Sequence, residues 1–302
     1  MIPQFPEFKK VELSDRTAVE SHTHPFEPYS DFNFTSLYAW DTSEERMISE
    51  LHGNLVVRFT DYTTHEPFFS FLGTSEVEQT ARTLIEQGKA EGIDATLKLV
   101  PEVVAQSMNV ASLQVEEDRD NFDYLYAVSD LAAMKGGAYI ERRGAANKFA
   151  NAHPDARLES IDLSNQVAQE KIFAVLEKWE SNKKTAKKDY ELEHERQAIH
   201  RLCQTAAGHD LIAMALFSDD DMLAFRIEEI LPNQYSMGHF FKADTSHKEI
   251  YAFFIKKMAE HMETLGVAQC NFEQDLGVPG LRSWKMSYKP SGFLRKYRVS
   301  LK

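Results

Sequence analysis

Hydrophobic positions in the first half of the chain predict two strands, a helix and a third strand. The β-branched and aromatic runs Leu55–Phe59 and Phe68–Leu72 are typical of strands, with turn residues between them. Ser75-x-x-Glu78 then predicts a capping box at the start of a helix. The apolar positions that follow recur at helical spacing: Val77, Ala81, Leu84 and Ile85. A further strand is predicted at Thr96–Val100.

The second half repeats this order of elements. Its predicted strands before the long helix are Leu211–Phe217, Met222–Ile230 and Tyr235–Ala243. Ser246-x-x-Glu249 predicts a second capping box, Gly266 ends the helix, and Val267–Phe272 is the next strand. The sequence therefore predicts an α/β fold with mixed (α+β) sheets, built by duplication of a strand–strand–helix–strand unit. We place the two domains at residues 1–135 and 136–302.

Length, composition and charge narrow the class of protein. With 302 residues, 43% hydrophobic and 11% aromatic, the chain can bury two cores. A net charge of −13 disfavours duplex DNA as a partner, because no overall positive field attracts phosphates. The sequence has no apolar run long enough for a transmembrane helix, so membrane contact is expected to be peripheral at most. Two distant cysteines and the lack of a signal peptide indicate a reducing, cytoplasmic location.

Chemistry-bearing side chains are densest near the C-terminus, from residue 271 to residue 297. Pro279 suits the first turn of a short helix, on which Arg282 and Lys285 lie three residues apart on one side. Such a cationic pair can hold a phosphate or a carboxylate. The polar residues of this segment that we single out as candidate site residues are Asn271, Glu273, Asp275, Arg282, Lys285 and Tyr288.

Two readings of this segment are open from the residues alone. In the first, Asp275 or Glu273 takes a proton from an amine or hydroxyl, and Tyr288 returns one to a leaving group. In the second, the acids and bases pair with each other and only fix the C-terminal segment in place.

A basic cluster after the Gly136-Gly137 turn is a further candidate for ligand binding. Arg142 and Arg143 lie between two aromatic residues, Tyr139 and Phe149. Guanidinium groups beside aromatic planes suit stacking and phosphate contacts, so a ligand role is one interpretation and a solvated helix face is the other.

Several motifs together resemble a known family. They are YSDFNFTSLYAW, DYLYAVSDLAAMKGGAYIERRGAANKF, HFFKAD and NFEQDLGVPGLRSWKMSYKP followed by KY. The chain resembles the family named for the phosphatidylglycerol lysyltransferase C-terminal domain over nearly its whole length. This resemblance implies two tandem GNAT-like (acyl-CoA N-acyltransferase) folds. It adds Gly277 to the site, together with Lys242 and Asp244 from the HFFKAD motif.

The resemblance implies an acyltransferase. Membrane-anchored members of the family move an aminoacyl group from aminoacyl-tRNA to phosphatidylglycerol. We therefore expect transfer from an aminoacyl-tRNA or a small acyl donor to an amine or hydroxyl, including that of a phospholipid head group.

The sequence also allows two alternatives. The first is an N-acetyltransferase that uses acetyl-CoA or another acyl-CoA as cofactor. The glycine-rich pyrophosphate loop of such enzymes is missing, since the expected turn reads Thr245-Ser246-His247-Lys248-Glu249. The second is a binding protein that kept the fold without catalysis. No metal site is expected.

Overall fold

The computed structural model describes residues 1–43, 45–61, 66–108, 111–182 and 190–302, with the backbone alone for residues 190–192. The chain forms two compact units that alternate along the sequence. The first unit comprises residues 1–123, 274–278 and 293–302, and the second unit comprises residues 124–273 and 279–292. The predicted domains, residues 1–135 and 136–302, are two copies of a duplicated fold and not these compact units. That domain boundary stays a prediction.

Both strands and helices occur throughout the described ranges. The strands are β1 Lys9–Lys10, β2 Met47–Leu51, β3 Asn54–Thr60, β4 Pro67–Leu72, β5 Leu97–Pro101, β6 Leu113–Glu117, β7 Asp123–Ala127, β8 Arg157–Ser160, β9 Leu211–Ser218, β10 Asp221–Leu231, β11 Tyr235–Ala243, β12 Gln269–Asn271, β13 Gly292–Leu294 and β14 Lys296–Leu301. The α-helices are α1 Arg16–Thr23, α2 Phe34–Ala39, α3 Val77–Glu91, α4 Glu102–Ala105, α5 Val128–Ala133, α6 Ile140–Ala152, α7 Gln166–Asn182, α8 Tyr190–Thr205, α9 Ile250–Thr264 and α10 Pro279–Ser287. Of the helices described here, none is long and apolar enough to cross a membrane.

The first unit contains two small sheets. One has the strand order β1-β2-β3-β4, and the other has β14 in the centre of the order β5-β14-β6. Aromatic side chains hold β3 and β4 together: Phe59 is opposite Phe68 in the register, and their rings stack with centroids 5.4 Å apart. The Phe32 ring packs edge-on against the Phe59 ring, with the ring centroids 6.1 Å apart. These rings bury a large apolar area, so they form a core for this unit.

The second unit is built on a mixed sheet in which its own strands have the order β7-β12-β11-β10-β9-β8. Along this sheet, β8, β9, β10 and β11 pair antiparallel in turn, β11 and β12 are parallel, and β12 pairs antiparallel with β7. Helices pack on the sheet through neighbouring residues of β11. The ring centroids of Phe241 and Phe254 of α9 are 4.9 Å apart, and the Lys242 ammonium lies 4.3 Å from the ring centroid of Trp179 on α7. Because side chains alternate along a strand, α9 and α7 cover opposite faces.

The predicted unit of two strands, a helix and a strand occurs twice, as β3-β4-α3-β5 and as β10-β11-α9-β12. The predicted class, α/β with mixed sheets and a duplicated order of elements, is confirmed. The capping boxes are wrong in detail. Each helix begins one residue after a glutamate in the left-handed region, Glu76 at φ 42° and Glu249 at φ 64°, and neither side chain caps the helix. Ser246 instead donates to the carboxylate of Asp244.

A buried ionic cluster ties distant segments of the first unit together. The Lys296 side chain is 0% exposed, lies 2.7 Å from Asp123 Oδ1 and also pairs with the carboxylate of Asp31. Ser30 donates its hydroxyl to Asp123 at 2.6 Å and its main-chain N–H to the same carboxylate at 2.8 Å. Burial alone lowers the pKa of Lys296, but the charges of Asp123 and Asp31 outweigh it and raise that pKa above its ordinary value.

We expect Lys296→Met to destabilise the protein by about 3–5 kcal/mol, because two buried carboxylates then lose their cation. Urea denaturation followed by circular dichroism measures this loss. The matched control is Arg295→Gln, since Arg295 is the exposed neighbour of Lys296 and pairs with Glu117 at the surface. The control is expected to stay within about 0.5 kcal/mol of the unaltered protein. Equal stability of the two variants contradicts a stabilising role for the cluster.

Candidate functional site

The parallel pairing of β11 and β12 is short, and the two strands end at different points. Pairing runs from Tyr235 opposite Gln269 to Met237 opposite Asn271. Strand β12 ends at Asn271, whereas β11 continues to Ala243. In the pairing of β10 with β11, the register skips His239, which makes it the extra residue of a β-bulge. Bulges re-aim side chains and occur often beside active sites, so the polar groups around this point are candidates for a functional site.

His239 lies between two carboxylates at the bulge. Its Nε2 is 3.2 Å from Glu229 Oε2, and its Nδ1 is 3.6 Å from Glu273 Oε1. Glu229 and His239 are buried, while the Glu273 side chain keeps 20% of its surface exposed. Burial alone lowers the pKa of His239, but the two carboxylates raise it to about 9. The imidazole is therefore a cation at neutral pH, and one of its two acidic neighbours is open to solvent.

The main chain at Glu273 is held in an unusual conformation by two predicted site residues. Glu273 has φ 57°, a left-handed value that non-glycine residues seldom adopt. Asn271 accepts the N–H of Glu273 on its side-chain oxygen at 2.7 Å. Lys285 donates its ammonium to the carbonyl oxygens of Phe272 at 2.6 Å and Glu273 at 3.1 Å. Asn271 and Lys285 thus fix the turn that presents the Glu273 carboxylate.

The helix that carries Lys285 also carries Arg282 and ends just before Tyr288. Arg282 is half-buried on α10, and Tyr288 is fully buried. Burial raises the pKa of the Tyr288 phenol to about 12, against the opposing effect of the Arg142 guanidinium. Trp284 packs edge-on against the Tyr288 ring at 5.2 Å.

The two arginines of the basic cluster have different contacts within the second unit. Arg142 lies over the Tyr288 ring, with 5.2 Å from its guanidinium carbon to the ring centroid. Arg143 donates to the carbonyl oxygens of Met134 at 2.5 Å and Gly136 at 3.3 Å, just beyond the end of α5. The structure thus brings Arg142 to a predicted site residue, and it places Arg143 on main-chain carbonyls.

Asp275 belongs to the first unit and is 0% exposed. Its carboxylate lies 3.4 Å from Nη1 of Arg119 and accepts the N–H of Gly277 at 2.9 Å. Gly277 has φ 71°, and a Cβ there would come within 2.8 Å of the Asp120 carboxylate. A glycine is therefore required at this turn. The catalytic role of Asp275 stays a prediction.

The HFFKAD residues are engaged within the second unit. The Lys242 ammonium lies 2.6 Å from Glu195 Oε1 and over the Trp179 ring. Asp244 accepts the N–H of Ser246 at 3.0 Å and its hydroxyl at 2.6 Å. Burial opposes ionisation of Asp244, but these hydrogen bonds and nearby positive charges lower its pKa. A carboxylate therefore occupies the turn between β11 and α9.

Sequence reasoning missed His239 and the acids of β10. A signal was present, because Arg226, Glu228 and Glu229 interrupt a run that is otherwise apolar. Arg226 pairs with Glu228 at 2.5 Å and lies 4.2 Å from the Phe272 ring centroid. Buried charges are rare and need partners, so charged residues within an apolar strand are candidates for an internal polar network. In the ranges that the structure describes, no group of three or more His, Cys, Asp or Glu side chains could hold a metal ion.

These features define a mixed α/β protein with a polar site at the end of a parallel strand pair. The family model for the phosphatidylglycerol lysyltransferase C-terminal domain matches residues 24–300, and the chain belongs to this family. No curated protein matches the chain.

Solved structures share the fold over the whole chain. A conserved protein of unknown function from Bacteroides thetaiotaomicron is 26% identical, with 100% of both chains covered and a TM-score of 0.85. The C-terminal domain of a protein assigned as a lysylphosphatidylglycerol synthetase from Agrobacterium fabrum is 11% identical, covers 95% of this chain and 90% of its own, and has a TM-score of 0.64. L-PGS from Bacillus licheniformis is 12% identical, with 99% and 93% covered and a TM-score of 0.64.

The raised pKa of His239 predicts a specific dependence of stability on pH. A protonated His239 stabilises the fold fully below its unfolded pKa of 6.5, and this contribution is lost as the pH rises through about 9. The lost stability is on the order of 3 kcal/mol. We expect the free energy of unfolding to fall more steeply with pH in the unaltered protein than in His239→Gln, when both are measured by urea denaturation.

The control for this prediction is His24→Gln, because His24 is exposed. Its pH dependence is expected to follow that of the unaltered protein. Parallel curves for His239→Gln and the unaltered protein refute the charged state of His239.

Proposed function

We propose that this chain is an acyltransferase that moves an aminoacyl group from an aminoacyl-tRNA to a hydroxyl or amine, in the cytoplasm. The observation that carries the proposal is the Glu273 carboxylate, which is presented at the end of β12 and backed by His239. Membership of the phosphatidylglycerol lysyltransferase C-terminal family supports the reaction class. The name of that family makes phosphatidylglycerol the first acceptor to test.

Glu273 is better placed than Asp275 to meet a substrate. Its side chain is 20% exposed, while that of Asp275 is 0% exposed and next to Arg119. In the reaction, an oxygen or nitrogen of the acceptor forms a bond to the carbonyl carbon of the aminoacyl ester. Glu273 takes the proton of that nucleophile, and the ester C–O bond breaks. Glu273 then returns the proton to the leaving oxygen of the donor.

The surrounding residues position this carboxylate. Asn271 and Lys285 hold the left-handed turn at Glu273, and His239 contacts its carboxylate from inside the protein. Glu229 holds the other nitrogen of the imidazole. Holding a reacting group in one place lowers the barrier, because the entropy of orienting it is lost before the reaction begins.

The contacts of Asp244 disfavour the acetyl-CoA alternative. In the turn between β11 and α9, the N–H of Ser246 is already taken by the Asp244 carboxylate, whose pKa is lowered. A pyrophosphate bound at this turn needs free main-chain N–H donors. It is instead repelled by the Asp244 carboxylate, which already accepts the N–H of Ser246. We therefore expect calorimetry to show no saturable binding of acetyl-CoA at millimolar concentrations. Saturable binding instead supports the N-acetyltransferase reading.

A transfer assay tests the proposed function directly. The donor is bulk tRNA charged with radiolabelled amino acids, and the acceptors are phosphatidylglycerol vesicles in one arm and soluble amines and alcohols in the other. We expect label to move to an acceptor in at least one arm, and Glu273→Gln to lower the rate about 100-fold or more.

The matched control is Glu263→Gln, which removes an exposed carboxylate of α9 in the same unit. We expect it to keep full activity. Label that moves in neither arm supports the non-catalytic reading, and full activity of Glu273→Gln excludes Glu273 as the proton carrier. Asp275→Asn and Tyr288→Phe measured in the same assay test the roles that were expected of Asp275 and Tyr288.

A further inference from the structure

Two buried hydrogen-bond donors of the second unit lie side by side without partners. Among the residues that the structure describes, neither Nε of Arg142 nor the hydroxyl of Tyr288 has a hydrogen-bond partner by distance and angle, although the Arg142 guanidinium is close enough to the phenol oxygen to act on its pKa. The Tyr288 side chain is 0% exposed, and the Arg142 guanidinium lies over its ring at 5.2 Å. A buried donor without a partner costs about 1–3 kcal/mol, and native proteins contain few of them. Two such donors in contact therefore indicate a ligand with several acceptor atoms.

The surroundings hold both donors in place. Tyr139 donates its hydroxyl to the Tyr288 carbonyl at 3.0 Å, and Trp284 packs on the Tyr288 ring. With its pKa raised to about 12, the phenol keeps its proton at neutral pH and acts as a donor. Arg142 is half-buried, so solvent reaches part of its guanidinium.

The position of Arg142 on its helix favours an anion. Arg142 lies in the first turn of α6, where the positive end of the helix dipole adds to the guanidinium charge. The acid of the same turn, Glu141, is exposed. The neighbouring Arg143 is already used on the carbonyls of Met134 and Gly136. Of the two arginines, Arg142 is therefore the one with a donor to offer.

We propose that Arg142 and Tyr288 together bind the phosphate group of a substrate. The guanidinium supplies donors only and the protonated phenol supplies one O–H donor, which suits a group that offers acceptor oxygens. The terminal oxygens of a phosphate group lie on a tetrahedral phosphorus, so one can accept from the guanidinium and another from the hydroxyl at the same time. This inference rests on the proposed function only in calling the ligand a substrate. Both substrates of that reaction, an aminoacyl-tRNA and a phospholipid, carry phosphodiesters.

Calorimetry on the purified protein tests this site without any acyl donor. The probes are inorganic phosphate, glycerol 3-phosphate, adenosine 5′-monophosphate and acetate. We expect saturable binding of phosphate and weaker binding of acetate. Tyr288→Phe is expected to weaken phosphate binding about tenfold, and Arg142→Gln more than that, because each variant removes a hydrogen bond to a charged group. Tighter binding of glycerol 3-phosphate than of the nucleotide assigns the site to a lipid head group, and the reverse order assigns it to the tRNA.

Lys148→Gln is the matched control for charge, since Lys148 lies on the same helix, is exposed and pairs with Glu249. It is expected to bind phosphate as the unaltered protein does. A thermal melt without phosphate separates the site from a structural role. Tyr288→Phe is expected to melt at the same temperature as the unaltered protein or higher, because a donor without a partner is removed.

Three results overturn the inference: no saturable phosphate binding, equal binding by Tyr288→Phe, or acetate binding as tight as phosphate binding. The proposed function fails separately, because a protein that binds phosphate and transfers no label contradicts only the transfer reaction. A protein that transfers label and binds no phosphate contradicts only this site.

Discussion

An ammonium group taken out of water must be surrounded by its counter-charges, and this requirement organises the first unit. Lys296 is fully buried, and the side chains that neutralise it come from positions far from it in the sequence, Asp31 and Asp123. Moving a charge into the protein interior costs several kcal/mol unless partners replace its hydration. The cluster forms only when these distant segments are in their native positions. A misfolded arrangement that buries Lys296 without both carboxylates is therefore destabilised.

The same cluster extends to the segment that carries Asp275. The Ser30 hydroxyl oxygen lies 2.8 Å from Gln274 Oε1, and Gln274 donates its amide to Asp31 at 3.3 Å. Asp275 is the next residue, and its carboxylate lies near Arg119 of the same unit. The segment of Gln274 and Asp275, which the sequence predicted to be catalytic, is thus anchored by a structural ionic network. For this reason we give the proton-carrying role to the neighbouring Glu273 instead.

Local patterns predicted the elements well, since strand and helix periodicity depends on near neighbours. The helix over Val77 to Glu91 and the strand pair around Phe225 follow from alternation and spacing alone. The site was predicted less completely, because its contacts are long-range. Lys285 was expected to hold an anion, yet its described hydrogen bonds go to main-chain carbonyls thirteen and twelve residues earlier. His239 went unnoticed because its meaning depends on a bulge and on Glu229 in a neighbouring strand.

The place of β14 in its sheet has a consequence for protein synthesis. This strand lies between β5 and β6, but the ribosome makes it long after both of them. Until then, the N–H and C=O groups of β5 and β6 that later bond to β14 have no strand partner. The first unit to be translated therefore completes its fold only after the second has been made, and a nascent chain exposes two strand edges during that interval. Chaperones that shield unpaired strands have their longest opportunity to bind there.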